Sequence, residues 1–275
     1  MNRRLLLVGA AVGLFTTIAI GPMPAAATSC TNLKVLQLIH TTITSAEDNT
    51  AGTFIIPNSN PPTTLKDAAG LPSLLTFCRV TATLTPTSDS NVKIEVWLPE
   101  TTWNGRFLGT GGGGFQGVIT YSELSGGIGL GFATANSDLG TGSSPTLCNP
   151  NYCGSAGNKG NPVAIAAGDP ATASTGLFGH PERIKDFGYR ATHLMTLRSK
   201  QIVSAFYRQN AQTAYFFGCS TGGQNALMEA QRFPDDYNGI IAGAAAFNRT
   251  HCTWAPLPYG NTLMRHRRIS FAQGK

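Results

Sequence analysis

The chain reads as an α/β fold, a mostly parallel sheet covered by helices, and three observations lead there. Strand-like and helix-like segments alternate through its second half. A glycine-flanked serine stands between one such strand and the helix after it. Hydrophobic residues make up 41% of the 275, enough for a core, while charged residues are only 12%, so neither a disordered chain nor a coiled coil fits.

The elements follow in order. Asn2-Arg3-Arg4, an apolar run over 5–20 and Ala25-Ala26-Ala27 read as a secretory signal peptide over residues 1–27. A membrane anchor is the alternative, but that run contains Gly9 and Gly13 and ends at Gly21-Pro22. It falls short of the roughly twenty apolar residues a spanning helix needs. A secreted or periplasmic protein is expected. Residues 31–39 suggest a short helix, followed by a Thr/Asn/Pro-rich stretch to Pro72. Residues 91–98 alternate as a strand that Pro99 ends. Residues 106–110 form a short strand entering Gly111-Gly112-Gly113-Gly114, and 130–135 form another. After a loop-like stretch at 139–180, Ile184, Phe187, Ala191, Leu194, Met195, Ile202 and Phe206 repeat at helical spacing. A strand at 214–217, a turn at 218–223, a helix at 224–232 and a buried strand at 238–244 complete one domain over residues 28–251. A sheet stopping there leaves an apolar edge.

The net charge of +6 invites a nucleic-acid reading. Its distribution withdraws it. Arg3, Arg4, Arg265, Arg267, Arg268 and Lys275 lie at the ends, and residues 28–260 keep 14 basic against 14 acidic side chains. No basic surface is left for nucleic acid.

Export permits disulfides. Cys148 and Cys153 enclose a turn-rich loop, which fits a local disulfide better than half a metal site, since no second Cys or His pair accompanies it. Cys30 and Cys78 flank the first segment and could staple it to the body. Spacing alone does not place Cys219 or Cys252.

Gly218-Cys219-Ser220-Thr221-Gly222 fits Gly-x-Ser-x-Gly between a strand and a helix. A sharp turn from strand to helix holds the serine in strain, and glycines two residues to either side avoid collision. The hydroxyl then stands at a helix N-terminus, which favours the negative charge of a tetrahedral intermediate. The Thr221 N–H becomes an oxyanion donor. A glycine-rich helix cap is the plainer reading, but the strand before and the helix after favour a nucleophile. Residues 109–114 also spell the dinucleotide pattern G-x-G-x-x-G. That pattern needs a helix at once, and 115–121 open one poorly. A Gly-rich loop after an early strand is instead where α/β-hydrolases place a second oxyanion N–H.

These residues resemble the tannase and feruloyl esterase family. The matching pieces are Trp103-Asn-Gly-Arg-Phe107 leading into the glycine run, Phe217-Gly-Cys-Ser-Thr-Gly-Gly-Gln224, and residues 231–244, QRFPDDYNGIIAGA. The likeness runs from about Cys30 to about His251. It implies an α/β-hydrolase core, Ser220 as nucleophile, and the N–H groups of Thr221 and Gly114 as oxyanion hole. It also implies a Cys30–Cys78 disulfide, and a bond from Cys219 to a cysteine beside the catalytic histidine. Implied substrates are small esters of aromatic acids such as gallate and hydroxycinnamates.

A serine also needs a base and an orienting carboxylate. After Ser220 the acids are Glu229, Asp235 and Asp236, and the histidines are His251 and His266. None suits the role: Glu229 is on the helix leaving the serine, the two aspartates share a distant turn, and His251 lacks an acid. The resemblance implies that acid and base lie further downstream, beyond a lid that carries the family's calcium site. The chain is therefore expected to stop before its last strands and lid, and to need no cofactor among the residues present. From Cys252 the texture changes: acids vanish and arginine accumulates, as expected if 252–275 are an out-of-frame tail. Resequencing across codon 252 tests that. Asn248-Arg-Thr250 is a glycosylation sequon, more simply an unmodified loop. Expected, then, is a secreted serine esterase for phenolic acid esters, or an inactive fragment that binds aromatic ligands. Neither nucleic acid nor, once the signal is removed, a membrane is a partner. The oligomeric state is left open.

Overall fold

The computed structural model describes residues 28–57, 59, 61–65, 75–113, 118–141 and 181–247. The expected signal peptide, Gly114, the Cys148–Cys153 pair, the sequon, His251, Cys252 and the basic tail lie outside them.

Among the described residues seven strands form one sheet: β1 (Thr41–Asn49), β2 (Phe77–Leu84), β3 (Val92–Pro99), β4 (Arg106–Thr110), β5 (Ala133–Ser137), β6 (Thr213–Cys219) and β7 (Gly239–Gly243). Their spatial order is β1-β2-β3-β5-β4-β6-β7. The sheet is mixed. β1, β2, β3 and β5 pair antiparallel, whereas β4 is parallel to β5 and β6, and β6 to β7. The parallel half carries the glycine run and the serine.

Helices cover both faces. α1 (Tyr121–Gly129) packs on β5, β3 and β4. α2 (Pro181–Lys185), a π-helical turn (Asp186–Arg190) and α3 (Ala191–Tyr207) run together; α3 covers β5 and β3, and α4 (Thr221–Arg232) covers β6 and β7. Strand alternation sorts the core accordingly. Val92, Ile94, Val96 and Leu98 of β3 face α3 with Met195, Ile202 and Phe206. Trp97 faces the other way, with Phe77, Phe54, Leu124 and Ile128 beneath α1. A buried ion pair sits on that second face: Arg79 Nη2 donates to Glu95 Oε1 at 2.5 Å, and Trp97 Nε1 and the Tyr121 hydroxyl donate to the same carboxylate. Burial pushes the Tyr121 hydroxyl well above its usual range, with the Glu95 charge adding to it.

Several expectations shift. The helix at 31–39 is a 3-10 turn, Cys30–Val35. β5 begins three residues later than 130, because Gly131 turns at φ +80° and Leu130, which ends α1, is 71% exposed. α4 begins at Thr221, inside the turn expected over 218–223. β1, β2 and α1 are elements the sequence reading did not pick out. Cys30 and Cys78 are bonded, which ties the N-terminal turn to β2. Among the described residues β7 is the last strand of the sheet on that side, and its Ile241 is 63% exposed.

Candidate active site

The chain leaves β4 toward α1 and β5 on one side, and leaves β6 toward α4 and β7 on the other. β4 and β6 are neighbours. Their carboxyl ends lie where the chain direction reverses, the usual ligand position in open α/β sheets. The glycine run follows β4 there, and Ser220 follows β6.

Ser220 has φ +59° and ψ −115°, a region nearly closed to residues with a side chain. Its surroundings hold it there. Its N–H donates to Gly243 O at 3.0 Å, and its carbonyl accepts from Gln224 N at 3.0 Å and Ala246 N at 2.9 Å. The side chain is exposed. Thr221, buried, opens α4 directly behind it.

The flanking glycines are needed for close approach. A Cβ on Gly218 would lie 2.3 Å from Gly222 O, and one on Gly222 would lie 2.7 Å from the Gly111 carbonyl carbon. Contacts this short do not occur, so both positions exclude a side chain. The glycine run reaches the helix through backbone: Gly111 N donates to Phe217 O at 3.0 Å, and Gly222 N donates to Gly112 O at 2.6 Å. The described part of that run is thus docked on the first turn of α4, although Gly114 itself is not described. As for the dinucleotide pattern, the first helix after it among the described residues is α1, which starts at Tyr121, seven residues past Gly114.

Cys219 is exposed with a free thiol. His193 Nδ1 and Asp236 Oδ2 are 2.6 Å apart, and the imidazole stacks on Phe233 with 3.7 Å between ring centroids. This histidine–aspartate pair resembles two-thirds of a triad. Its place rules it out. Phe233 closes the far end of α4, and twelve helical residues at 1.5 Å each separate that end from Ser220 by about 18 Å. Asp235 shares the same 3-10 turn, Pro234–Asp236, and Glu229 lies two turns along the helix. Among the described residues, then, no histidine stands at Ser220.

Glu229 belongs to this distant cluster, which sequence reasoning did not connect because His193 and Asp236 are 43 residues apart. Glu229 is fully buried, and no hydrogen-bond donor reaches either of its oxygens. Burial, then the adjacent Asp236 carboxylate, push its pKa up to about 9, so it is protonated at neutral pH. His193, Glu229 and Asp236 place ligand atoms within 4.8 Å of one another, a spacing a cation could use. The Lys200 ammonium donates to the Asp236 backbone carbonyl rather than to a carboxylate, and the Glu229 proton neutralises one carboxyl of the cluster. Burial lowers the Lys200 pKa.

The other matched motifs are structural. Trp103 stacks on Tyr207 at 3.7 Å and donates to Arg106 O, while Asn104 Nδ2 donates to Leu130 O. These contacts anchor the start of β4, the end away from Ser220. Tyr237 is buried against Phe216, and Asn238 Oδ1 accepts from Ala214 N at the start of β6.

The family model for tannase and feruloyl esterase matches residues 78–261, a stretch that contains the strained serine and the glycine run. The chain belongs to the tannase and feruloyl esterase family. It is 36% identical over 242 residues to an uncharacterized esterase of Xanthomonas campestris pv. campestris, covering 88% of this chain and 35% of that one. Feruloyl esterase B from Aspergillus oryzae superposes with a TM-score of 0.60 at 30% identity, over 80% of this chain and 37% of that one. Tannin acyl hydrolase from Aspergillus niger gives 0.52 at 25%, over 82% and 36%. The chain thus spans about a third of the length of the relatives it matches. The structure carries the family's α/β-hydrolase sheet, and no described helix is long and apolar enough to cross a membrane.

Proposed function

We propose that the protein is a secreted carboxylic ester hydrolase acting on small esters of phenolic acids, with Ser220 as nucleophile. The observation that carries this is the Ser220 backbone at φ +59° and ψ −115°, held by Gly243, Gln224 and Ala246 at the carboxyl end of β6. Ser220 Oγ attacks the ester carbonyl and its proton passes to a base. The tetrahedral intermediate collapses as the C–O ester bond breaks, and the alcohol leaves with a proton. Water then attacks the acyl-serine, releasing the acid and restoring the hydroxyl. The Thr221 N–H, at the first residue of α4, and the Gly114 N–H stabilise the oxyanion. The histidine and carboxylate that complete the triad come from outside the described residues. No cofactor enters these steps. The aromatic acyl preference rests on the family and on relatives named feruloyl esterase and tannin acyl hydrolase.

A second reading, a non-catalytic protein that binds aromatic ligands, is favoured by one observation: among the described residues no histidine reaches Ser220. Hydrolysis of methyl ferulate and methyl gallate by the purified chain, with Ser220→Ala alongside, separates the two. Turnover that Ser220→Ala abolishes would rule out the second reading. Binding without Ser220-dependent turnover would favour the second reading, since losing a triad member leaves only residual catalysis.

A further inference from the structure

We propose that Asn136 is a positioning residue for Ser220, an inference that rests on the esterase reading for its kinetic half only. Asn136 is fully buried near the end of β5, a strand enclosed on both faces. A buried amide is costly unless its donors and acceptor are met. Here they are. Nδ2 donates to Thr110 O and to Thr110 Oγ1, each at 3.0 Å, and Oδ1 accepts from Thr120 N at 2.9 Å. The Thr110 hydroxyl in turn donates to Ala135 O at 3.0 Å.

The placement shows what these bonds do. The parallel register between β4 and β5 ends at Gly109↔Ala135. Thr110 and Asn136 are the next pair, and the Asn136 side chain continues the connection where the backbone ladder stops. Directly after Thr110, Gly111 donates to Phe217 O and Gly112 accepts from Gly222 N. Thr120, at the other end of the segment that begins with Gly111, is the N-cap residue immediately before α1. One side chain therefore holds both ends of the glycine segment, and through Thr110 and Gly112 it fixes where that segment meets the first turn of α4. An apolar residue of similar size supplies none of the three bonds. A serine or alanine is too short to span from Thr110 to Thr120.

Two readouts test this in the purified chain. The first is backbone amide exchange in Asn136→Ala, followed at Gly222, Thr120 and, as a core reference, Val96. We expect exchange at Gly222 and Thr120 to quicken by about tenfold or more, the equivalent of one lost hydrogen bond, with Val96 unchanged. Unchanged exchange at Gly222 would overturn the proposal. The second is Ser220-dependent ester hydrolysis, where kcat should fall roughly ten- to a hundredfold with KM within about twofold, since a small displacement of reacting groups costs that much. Faster exchange with an unaltered kcat would also overturn the positioning role. Wild-type protein without Ser220-dependent hydrolysis would sink the esterase reading, and the exchange data would still decide whether Asn136 holds the segment. Should the alanine variant not fold, Asn136→Asp keeps the acceptor for Thr120 and loses both donors. Its Gly222 exchange at pH 8, where the carboxylate offers Thr110 no donor, should be faster than in the wild type. Wild-type protection at Gly222 in this variant would count against the proposal.

Discussion

Gly222 donates its N–H to the carbonyl of Gly112 at 2.6 Å, with no side chain between the two backbones. The contact joins the loop after β4 to the helix behind the nucleophile, and it depends on glycine at both Gly218 and Gly222. Replacing either should distort the elbow rather than merely crowd it. Gly218→Ala, whose Cβ would meet Gly222 O at 2.3 Å, is expected to lose about 1–3 kcal/mol of stability, the usual cost of overpacking. Chemical denaturation would show this, and Ser220 reactivity toward an organophosphonate should fall with it. A variant of wild-type stability and reactivity would mean the elbow is looser than described.

Ser220 is itself strained, so removing its side chain should reveal stored energy. Backbone outliers of this kind cost about 1–3 kcal/mol, and only glycine adopts them freely. Ser220→Gly is therefore expected to be more stable than Ser220→Ala by about 1 kcal/mol, the reverse of the order at an ordinary site. Urea midpoints of the two variants provide the comparison; alanine at or above glycine would argue against strain.

Glu229 makes stability depend on pH. Its carboxyl, ordinarily near 4.5, is raised to about 9 by burial and by Asp236. The folded chain thus holds this proton more tightly than the unfolded chain. The resulting stabilisation is complete below about 4.5 and is lost as pH rises through about 9. Glu229→Gln keeps the neutral shape without the titration. The stability gap between variant and wild type should widen in the variant's favour from pH 5 to pH 9. A constant gap would show that Glu229 is charged in the folded chain.

The Cys30–Cys78 bond closes a loop with a sequence separation of 48. The chain-entropy model assigns such a loop about 4 kcal/mol, and typical disulfides give about 2–4. The double variant Cys30→Ala/Cys78→Ala should lose stability in that range while Ser220 reacts as before. Loss of reactivity at temperatures where the variant remains folded would link the N-terminal turn to the site.

The parallel half of the fold was legible in the sequence because its signals are local. Ala214-Tyr-Phe-Phe217, the Gly-Cys-Ser-Thr-Gly turn and the helix after it lie within twenty residues, and the serine follows from that order alone. Of the antiparallel half, β3 was legible from its alternation, and β5 in part, but β1 and β2 were not. β1 is Thr-Thr-Ile-Thr-Ser-Ala-Glu-Asp-Asn, polar because it is an edge strand, and its bulge between Ile43 and Ser45 breaks the alternation. α1 holds Gly126, Gly127 and Gly129, which propensity disfavours. Yet a Cβ on Gly127 would sit 2.1 Å from Thr134 Cγ2, so close packing on β5, a tertiary matter, selects the glycine. Asn136 and the His193–Asp236–Glu229 cluster were missed for the same reason: their partners are distant in sequence, and no short spacing announces them. The elbow's own supports, Gly243 and Ala246, had a faint signal in the small-residue run at 242–246, which suits close backbone approach.

The most direct test of Ser220 as nucleophile is the mass of the intact protein after brief reaction with methyl ferulate and acid quench, followed by peptide mapping. The account predicts one feruloyl adduct on the peptide containing Ser220, absent in Ser220→Ala, together with Ser220-dependent release of ferulate. Hydrolysis at equal rates by the wild type and Ser220→Ala, or an adduct confined to Cys219, would contradict it.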